Sequence, residues 1–217
     1  LVVDVGGTNV KLLASGQMEA RRFPSGPEMT PHEMVSRTKA AAADWNYDVV
    51  AMGYPGFVRA GRITIEPHSL APGWIGFDFA KAFGCPVKIL NDAAMQALGS
   101  YASGFLLFVG LGTGLGSALV DDGVVVPMEL GHLSYRKGEV EDYVGARGLA
   151  RLGRKRWQKH VNALMGRLIE AFHPDDVVIG GGNAKRLLTT PKGCRSGDNA
   201  HAFTGGFRMW NESATKS

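Results

Sequence analysis

Asp92 follows Asn91 in "ILNDAAM", where an apolar run gives way to a helix-forming one. A carboxylate held rigidly at such a junction can accept the proton of a hydroxyl as that oxygen attacks phosphorus. One of the two residues also has a plain structural use, because Asn and Asp cap helix N-termini. "PMELGHL" sets Glu129 and His132 into an otherwise apolar stretch, where both can point into a cleft and hydrogen-bond vicinal hydroxyls. The bland reading of His132 is a satisfied structural histidine. Glu141, in "GEVEDY", is a third candidate, or else a solvated first-turn glutamate that the helix dipole favours.

Glycine supplies the other half of the chemistry. The chain has 30 glycines, and they cluster. In "DVGGTNV" Asp4 precedes Gly6, Gly7 and Thr8; in "GLGTGLGS" Thr113 lies between Gly112 and Gly114. Glycines let a backbone take positive φ and approach a ligand closely, and successive N–H groups in such turns bind anions. Two such hairpins can embrace a phosphate chain from both sides, with the Thr8 and Thr113 hydroxyls adding hydrogen bonds. Asp4 is placed to hold Mg2+ through water, since that ion keeps several waters. Neither hairpin is a P-loop, and the second spaces its glycines at every second residue, which excludes the dinucleotide fingerprint. A third cluster, Gly181, Gly182 and Asn183 in "VVIGGGNAKRL", is expected to end a strand and open a helix. Such a crossing suits a nucleotide's base and ribose, and equally suits tight strand–helix packing.

The elements that must hold these residues alternate between strand and helix. Strands are expected in residues 1–23, ahead of a helix from Thr30 to Trp45 with Thr as N-cap and Pro in the first turn. "DVVAMGY" and "PVKILN" read as buried strands, and a helix begins at Asp92. "GFLLFVGLGTGLGSALVDDGVVV" repeats the opening in kind: strand, glycine turn, strand, Asp-Gly turn, strand. A helical region from Glu141 to Phe172, the strand "DDVVIG" and a further helix complete the pattern. The expectation is an α/β protein of two lobes, residues 1–100 and 101–198, with a C-terminal helix over about 199–212 packing back on the first.

Composition excludes several classes. The 217 residues carry a net charge of +4, which tolerates an anionic substrate without demanding nucleic acid, and no nucleic-acid recognition module is discernible. The basic run "RLGRKRWQKH" reads as a solvated helix face, or as a track for a polyanion such as inorganic polyphosphate. No stretch is long and apolar enough to span a membrane, and two distant cysteines, Cys85 and Cys194, fit a reduced, cytoplasmic protein without a cysteine-based zinc site. Asn211-Glu212-Ser213 matches a glycosylation pattern by chance.

Taken in order, "DVGGTNVK", "LNDAA", "GLGTGLGSALV", "ELGH" and "VVIGGGN" resemble the ROK family of sugar kinases, and within it the polyphosphate glucokinases, which share the patterns of "PGFV", "PGWIG" and "VVPMELGH". The resemblance implies the actin-like ATPase (ribonuclease H-like) fold, with two α/β lobes around a cleft. It implies phosphoryl transfer to the 6-hydroxyl of a hexose, glucose first, with fructose, mannose or N-acetylated sugars as alternatives. By position Asp92 would be the base, and Asn91, Asp92, Glu129, His132 and Glu141 would hold the sugar. Asp4, Gly6, Gly7, Thr8, Lys11, Gly112, Thr113, Gly114, Gly181, Gly182 and Asn183 would handle phosphate and nucleotide, with Lys11 either adding charge or facing solvent. Mg2+ and either ATP or polyphosphate are the implied cofactors, and a homodimer the implied assembly. Many members carry a cysteine-rich zinc motif after "ELGH"; this chain has "LSYRKGEVEDY", so no structural zinc is expected. Ser69 stands where the polyphosphate glucokinases usually have asparagine. A non-catalytic sugar sensor is the rival from another class.

Overall fold

The computed structural model describes residues 1–211, so the ends of the expected 199–212 helix and of the 211–213 glycosylation pattern lie outside the described residues. Strands β1 (Val2–Val5), β2 (Asn9–Leu13) and β3 (Arg21–Pro24) form an antiparallel meander ahead of helix α1 (Pro31–Ala41). Helix α1 starts as expected, the Thr30 hydroxyl accepting from the Glu33 N–H, but stops at Ala41, short of Trp45. β4 (Val50–Tyr54) pairs parallel to β1, a small hairpin of β5 (Val58–Arg59) and β6 (Arg62–Ile63) follows, and α2 (Phe79–Phe83) leads to β7 (Val87–Asn91), parallel to β4. The first sheet thus runs β3-β2-β1-β4-β7.

α3 (Asp92–Ser100) begins at the very end of β7. The second sheet then opens with an antiparallel meander of β8 (Phe105–Leu111), β9 (Leu115–Asp121) and β10 (Val124–Met128). A short hairpin of β11 (Ser134–Tyr135) and β12 (Gly138–Glu139) precedes α4 (Glu141–Val144) and the long α5 (Ala146–Phe172), which is kinked at Gly153 (φ 71°, ψ 159°). β13 (Asp176–Gly180) and β14 (Arg195–Ser196) complete the order β10-β9-β8-β13-β14. The helix expected after "GGGN" is one 3-10 turn, Ala184–Arg186, so no helix N-terminus faces that turn. Among the described residues no helix is long and apolar enough to cross a membrane.

Each sheet has its own apolar core, one around Val3, Leu12, Met52 and Trp74, the other around Leu107, Trp157, Met165 and Ile179. α3 is the element shared between them, since it packs on β8 and β9 as well as on β4 and β7. α6 (His201–Arg208), shorter than the expected helix, crosses α3 and lies on β1 and β4. Glycines make this crossing possible: a Cβ on Gly99 would stand 1.8 Å from the His201 carbonyl oxygen, and one on Gly205 would stand 1.8 Å from that of Met95. The carbonyls at the α3 C-terminus are taken up by arginines, Arg208 donating to Leu98 and Tyr101 and Arg195 to Ser100. α3 is therefore fixed at one end, and its other end carries Asp92.

Candidate active site

Asn91 explains why Asp92 sits where it does. The Asn91 Oδ1 accepts the Ala94 N–H at 3.0 Å, while Nδ2 donates to the Gly56 carbonyl at 3.0 Å. Asn91 is thus the helix cap and a tie to the loop after β4, and it is buried. Asp92 Oδ1 accepts the Ala93 N–H at 2.7 Å, leaving Oδ2 for another partner. Burial, the neighbouring Asp4 carboxylate and, less strongly, Glu129 push the Asp92 carboxyl up to about 7 despite that N–H. An acid so placed exchanges its proton near neutral pH, as a general base must.

Asp4 is buried at the end of β1, and Lys11, its cross-strand partner on β2, brings Nζ to 3.1 Å from Oδ2. Lys11 thus turns its ammonium toward Asp4. The first glycine turn is braced by β3, the Ser25 hydroxyl donating to the Gly6 carbonyl and the Ser25 N–H to that of Thr8. Neither Gly6 nor Gly7 has a positive φ. They are glycines for space: a Cβ on Gly7 would meet Ser69 Oγ at 2.6 Å, and one on Gly6 the Asn9 carbonyl oxygen at 3.0 Å.

The second turn is built likewise. Gly112 and Gly114 lack positive φ, and a Cβ on Gly114 would stand 2.2 Å from Glu141 Oε2. Gly131 of "ELGH" also lies against that oxygen, so Glu141 lies against both the second glycine turn and the turn carrying Glu129 and His132. Asn183 staples the same turn from β13, donating Nδ2 to the Gly112 carbonyl at 2.8 Å and its own N–H to Leu111. Gly181 alone among the glycines of these clusters has a positive φ (85°), packed on the Leu111 backbone. Gly112 and Gly182 have neither a positive φ nor any protein atom near a Cβ. Thr8 and Thr113 are exposed at the tips of the two turns.

His132 Nδ1 lies 2.9 Å from Glu139 Oε2, and its Nε2 lies 4.0 Å from Glu129 Oε2. The hydrogen bond that His132 donates to Glu139 raises the imidazole's affinity for a proton, helped by Glu141 and Glu129. Burial raises Glu129, with His132 opposing it. His132, Glu139 and Glu141 also gather atoms within 4.8 Å of one another; the close Nδ1–Glu139 contact makes this a hydrogen-bonded group rather than a set of metal ligands. Sequence reading missed Glu139 and Glu66; the latter collects the N–H groups of Gly73, Trp74 and Ile75 and so shapes the tryptophan loop. Three consecutive N–H groups on one carboxylate leave no periodic signal in a sequence.

Residues 1–148 match the model of the ROK family. The chain belongs to the ROK family. It is 27% identical over 211 residues to the polyphosphate glucokinase of Mycobacterium tuberculosis, covering 85% of this chain and 77% of that one. It is 31% identical over 172 residues to the kanosamine kinase of Amycolatopsis mediterranei, covering 68% of this chain and 56% of that one. Among solved structures it superposes on the inorganic polyphosphate/ATP-glucomannokinase of Arthrobacter sp. strain KM with a TM-score of 0.82 at 23% identity, over 95% of this chain and 96% of that one. The two sheets with α3 between them are therefore the two lobes of the actin-like ATPase fold, as the ROK resemblance implied.

Proposed function

We propose that this ROK protein is a sugar kinase that transfers a phosphoryl group to the 6-hydroxyl of a hexose, glucose first, with ATP or polyphosphate as donor. The observation that carries the reading is Asp92, partly buried at the junction of the two sheets and pushed up to about 7 with one oxygen uncommitted. In this reading the hydroxyl gives its proton to Asp92 Oδ2 as its oxygen attacks the phosphorus in line. Glu129, His132 and Glu141 hold the ring hydroxyls, and Asn91 acts by fixing Asp92. Lobes 1–100 and 101–198 close over the sugar and exclude the water that would compete as acceptor.

The residues suit a magnesium ion. Asp4 and Glu129 both press negative charge on Asp92, and the one cation paired with Asp4 among the described residues is Lys11. Asp4 would hold the ion through water, and its charge would neutralise the phosphates when bound. Gly6, Gly7 and Thr8 on one side, and Gly112, Thr113 and Gly114 on the other, offer N–H and hydroxyl groups to the donor. Gly112 and Gly182, where no protein atom lies near a Cβ, leave room for the donor to come close in this reading.

Polyphosphate stays beside ATP for a specific reason. Arg151, Lys155, Arg156 and Lys159 on α5 make no salt bridge among the described residues, and Arg151 stacks on Tyr143. Burial and then Arg136 and Arg151 hold the His160 imidazole low, as expected in a cationic neighbourhood. A coupled assay of glucose phosphorylation with Mg2+, run in parallel with ATP and with polyphosphate, tests the proposal. Turnover with either donor supports it and separates the donors. No turnover over a panel of hexoses, with sugar still bound, makes the chain a sensor. The proposed homodimer is checked on the same sample by its mass in solution.

A further inference from the structure

We propose that Glu139, on the β11–β12 hairpin, is the positioning residue that sets the orientation and charge of His132 at the sugar site. The inference rests on the sugar-site reading above for its kinetic consequence, and on geometry alone for its structural one.

His132 ends a single 3-10 turn, Leu130–His132, and its side chain is half exposed. Nothing in so short and open an element fixes an imidazole by packing. The restraint comes from the hairpin. Ser134 pairs with Glu139 and Tyr135 with Gly138, and the Val140 N–H donates to the Leu133 carbonyl at 2.9 Å. The Glu139 N–H donates to Asp142 Oδ2 at 3.0 Å, and Gly138 leaves that carboxylate room, since a Cβ there would stand 2.6 Å from the same oxygen. Tyr135 anchors the hairpin in the core, edge-on to Tyr143 at 5.1 Å. The backbone under Glu139 is thus held from both sides.

An ionised carboxylate only accepts, so Nδ1 of His132 must carry the hydrogen in the 2.9 Å contact with Glu139. That fixes the ring plane and assigns Nε2 as the atom turned toward Glu129. The charged groups facing the ring are Glu129 from its own segment, Glu139 from the hairpin and Glu141 from α4, all three negative. They favour the imidazolium, in which Nε2 also donates. A sugar hydroxyl between His132 and Glu129 would then meet a donor on one side and an acceptor on the other. Without Glu139 the ring loses its orientation and much of that charge.

The test compares wild type with Glu139→Gln and Glu139→Ala. The amide keeps an acceptor for Nδ1–H but loses the charge; alanine loses both. In sugar-free protein, NMR titration of the His132 ring, assigned with His132→Gln, should show a midpoint above that of an exposed histidine in wild type. The midpoint should move down in Glu139→Gln and further in Glu139→Ala, with a mixture of tautomers appearing in the latter. In the kinase assay, KM for the hexose should rise about tenfold in Glu139→Ala and less in Glu139→Gln, the loss expected of one charge-assisted hydrogen bond. The donor KM should stay unchanged, and kcat should move little. Identical His132 titrations in all three proteins, or donor and hexose KM rising together, would overturn the assignment. A chain inactive on every hexose removes the kinase reading and leaves the titration to decide the role of Glu139 by itself.

Discussion

The two glycine hairpins have the same frame and different contents. Each opens a five-stranded sheet as the start of an antiparallel meander, followed by two strands added in parallel. One pair back from the turn, the first hairpin has Asp4 opposite Lys11 and the second has Gly110 opposite Gly116. The glycine pair has a packing cause. A Cβ on Gly116 would stand 2.7 Å from the Cβ of Ala93, the residue after Asp92, so the helix that carries the proposed base can lie on the second sheet only if that position is bare. The charged pair has an electrostatic cause, because a buried Asp4 needs the Lys11 ammonium beside it. A charged pair marks the first hairpin, close approach and helix packing the second.

Removing the base is the hardest blow to this division of labour. Asp92→Asn should bind sugar and lose turnover by about a thousandfold or more, within the range of a general base, as measured in steady state and by sugar titration. A substantial residual rate would reassign the base. The pH dependence follows from the same carboxyl. Wild-type kcat/KM should fall by one proton as pH drops below about 7, because Asp92 must be ionised to accept the hydroxyl proton. Stability should run the other way. A folded-state value raised above that of an exposed carboxylate means the native protein holds this proton from about pH 4 to about 7, and that stability is lost as pH rises through 7. Asp92→Asn should therefore melt higher than wild type at alkaline pH and near it at acid pH, a comparison that thermal melts at the two ends decide.

Asp4→Asn probes the charged pair. It should lower kcat about a hundredfold, the cost of one electrostatic element at a transition state, and raise the Mg2+ concentration needed for half-maximal rate. Because the Asp4 charge is one of the causes that raise Asp92, its removal should also shift the acid limb of the pH profile downward. Loss of rate with an unmoved acid limb would mean that the two carboxylates do not share a site. Gly116→Ala probes the glycine pair from the other lobe. It adds no charge and touches no substrate, yet it should destabilise the fold by about 1–3 kcal/mol and lower kcat by displacing the start of α3. Chemical denaturation and kcat should move together in this variant.

Much of this division was legible in the sequence, and the part that was not has a physical reason. Apolar runs, periodicity and turn residues located β1–β4, β7–β10 and β13 and the helices α1, α3 and α5, while the two-residue strands β5, β6, β11, β12 and β14 bury too little to leave a pattern. The junction at Asn91-Asp92 was legible because the strand and the cap leave adjacent signals. The glycine turns were found for an incomplete reason: positive φ was expected, while Gly7 and Gly114 are demanded by Ser69 and Glu141 approaching from elsewhere in the chain and Gly6 by Asn9 across its own turn. A contact across the fold leaves no trace at its own position. The same limit hid Glu139 and Glu66, and it hid the staple that the Asn183 amide makes to the second turn. The helix after "GGGN" failed because four residues, Ala184 to Leu187, met the Arg154 side chain, which takes the Arg186 and Leu187 carbonyls and ends the turn there.

The smallest effect gives the sharpest contrast within the second turn. Gly112 has open space where a Cβ would be, while Gly114 has Glu141 Oε2 at 2.2 Å. Gly114→Ala must move a carboxylate that lies between the proposed sugar and phosphate residues, so KM for sugar and for donor should rise together. Gly112→Ala meets no protein atom and has no unusual φ to strain, so its melting temperature should match wild type. If the space is reserved for the donor, the added methyl should raise the donor KM a few-fold, about 1 kcal/mol or less, and leave the sugar KM alone. ATP and polyphosphate should be affected alike if both enter between the two turns. A donor KM unchanged for both would show that the second turn does not approach the phosphates at Gly112, and would leave the first turn, with Asp4 and Lys11, as the whole of the phosphate site.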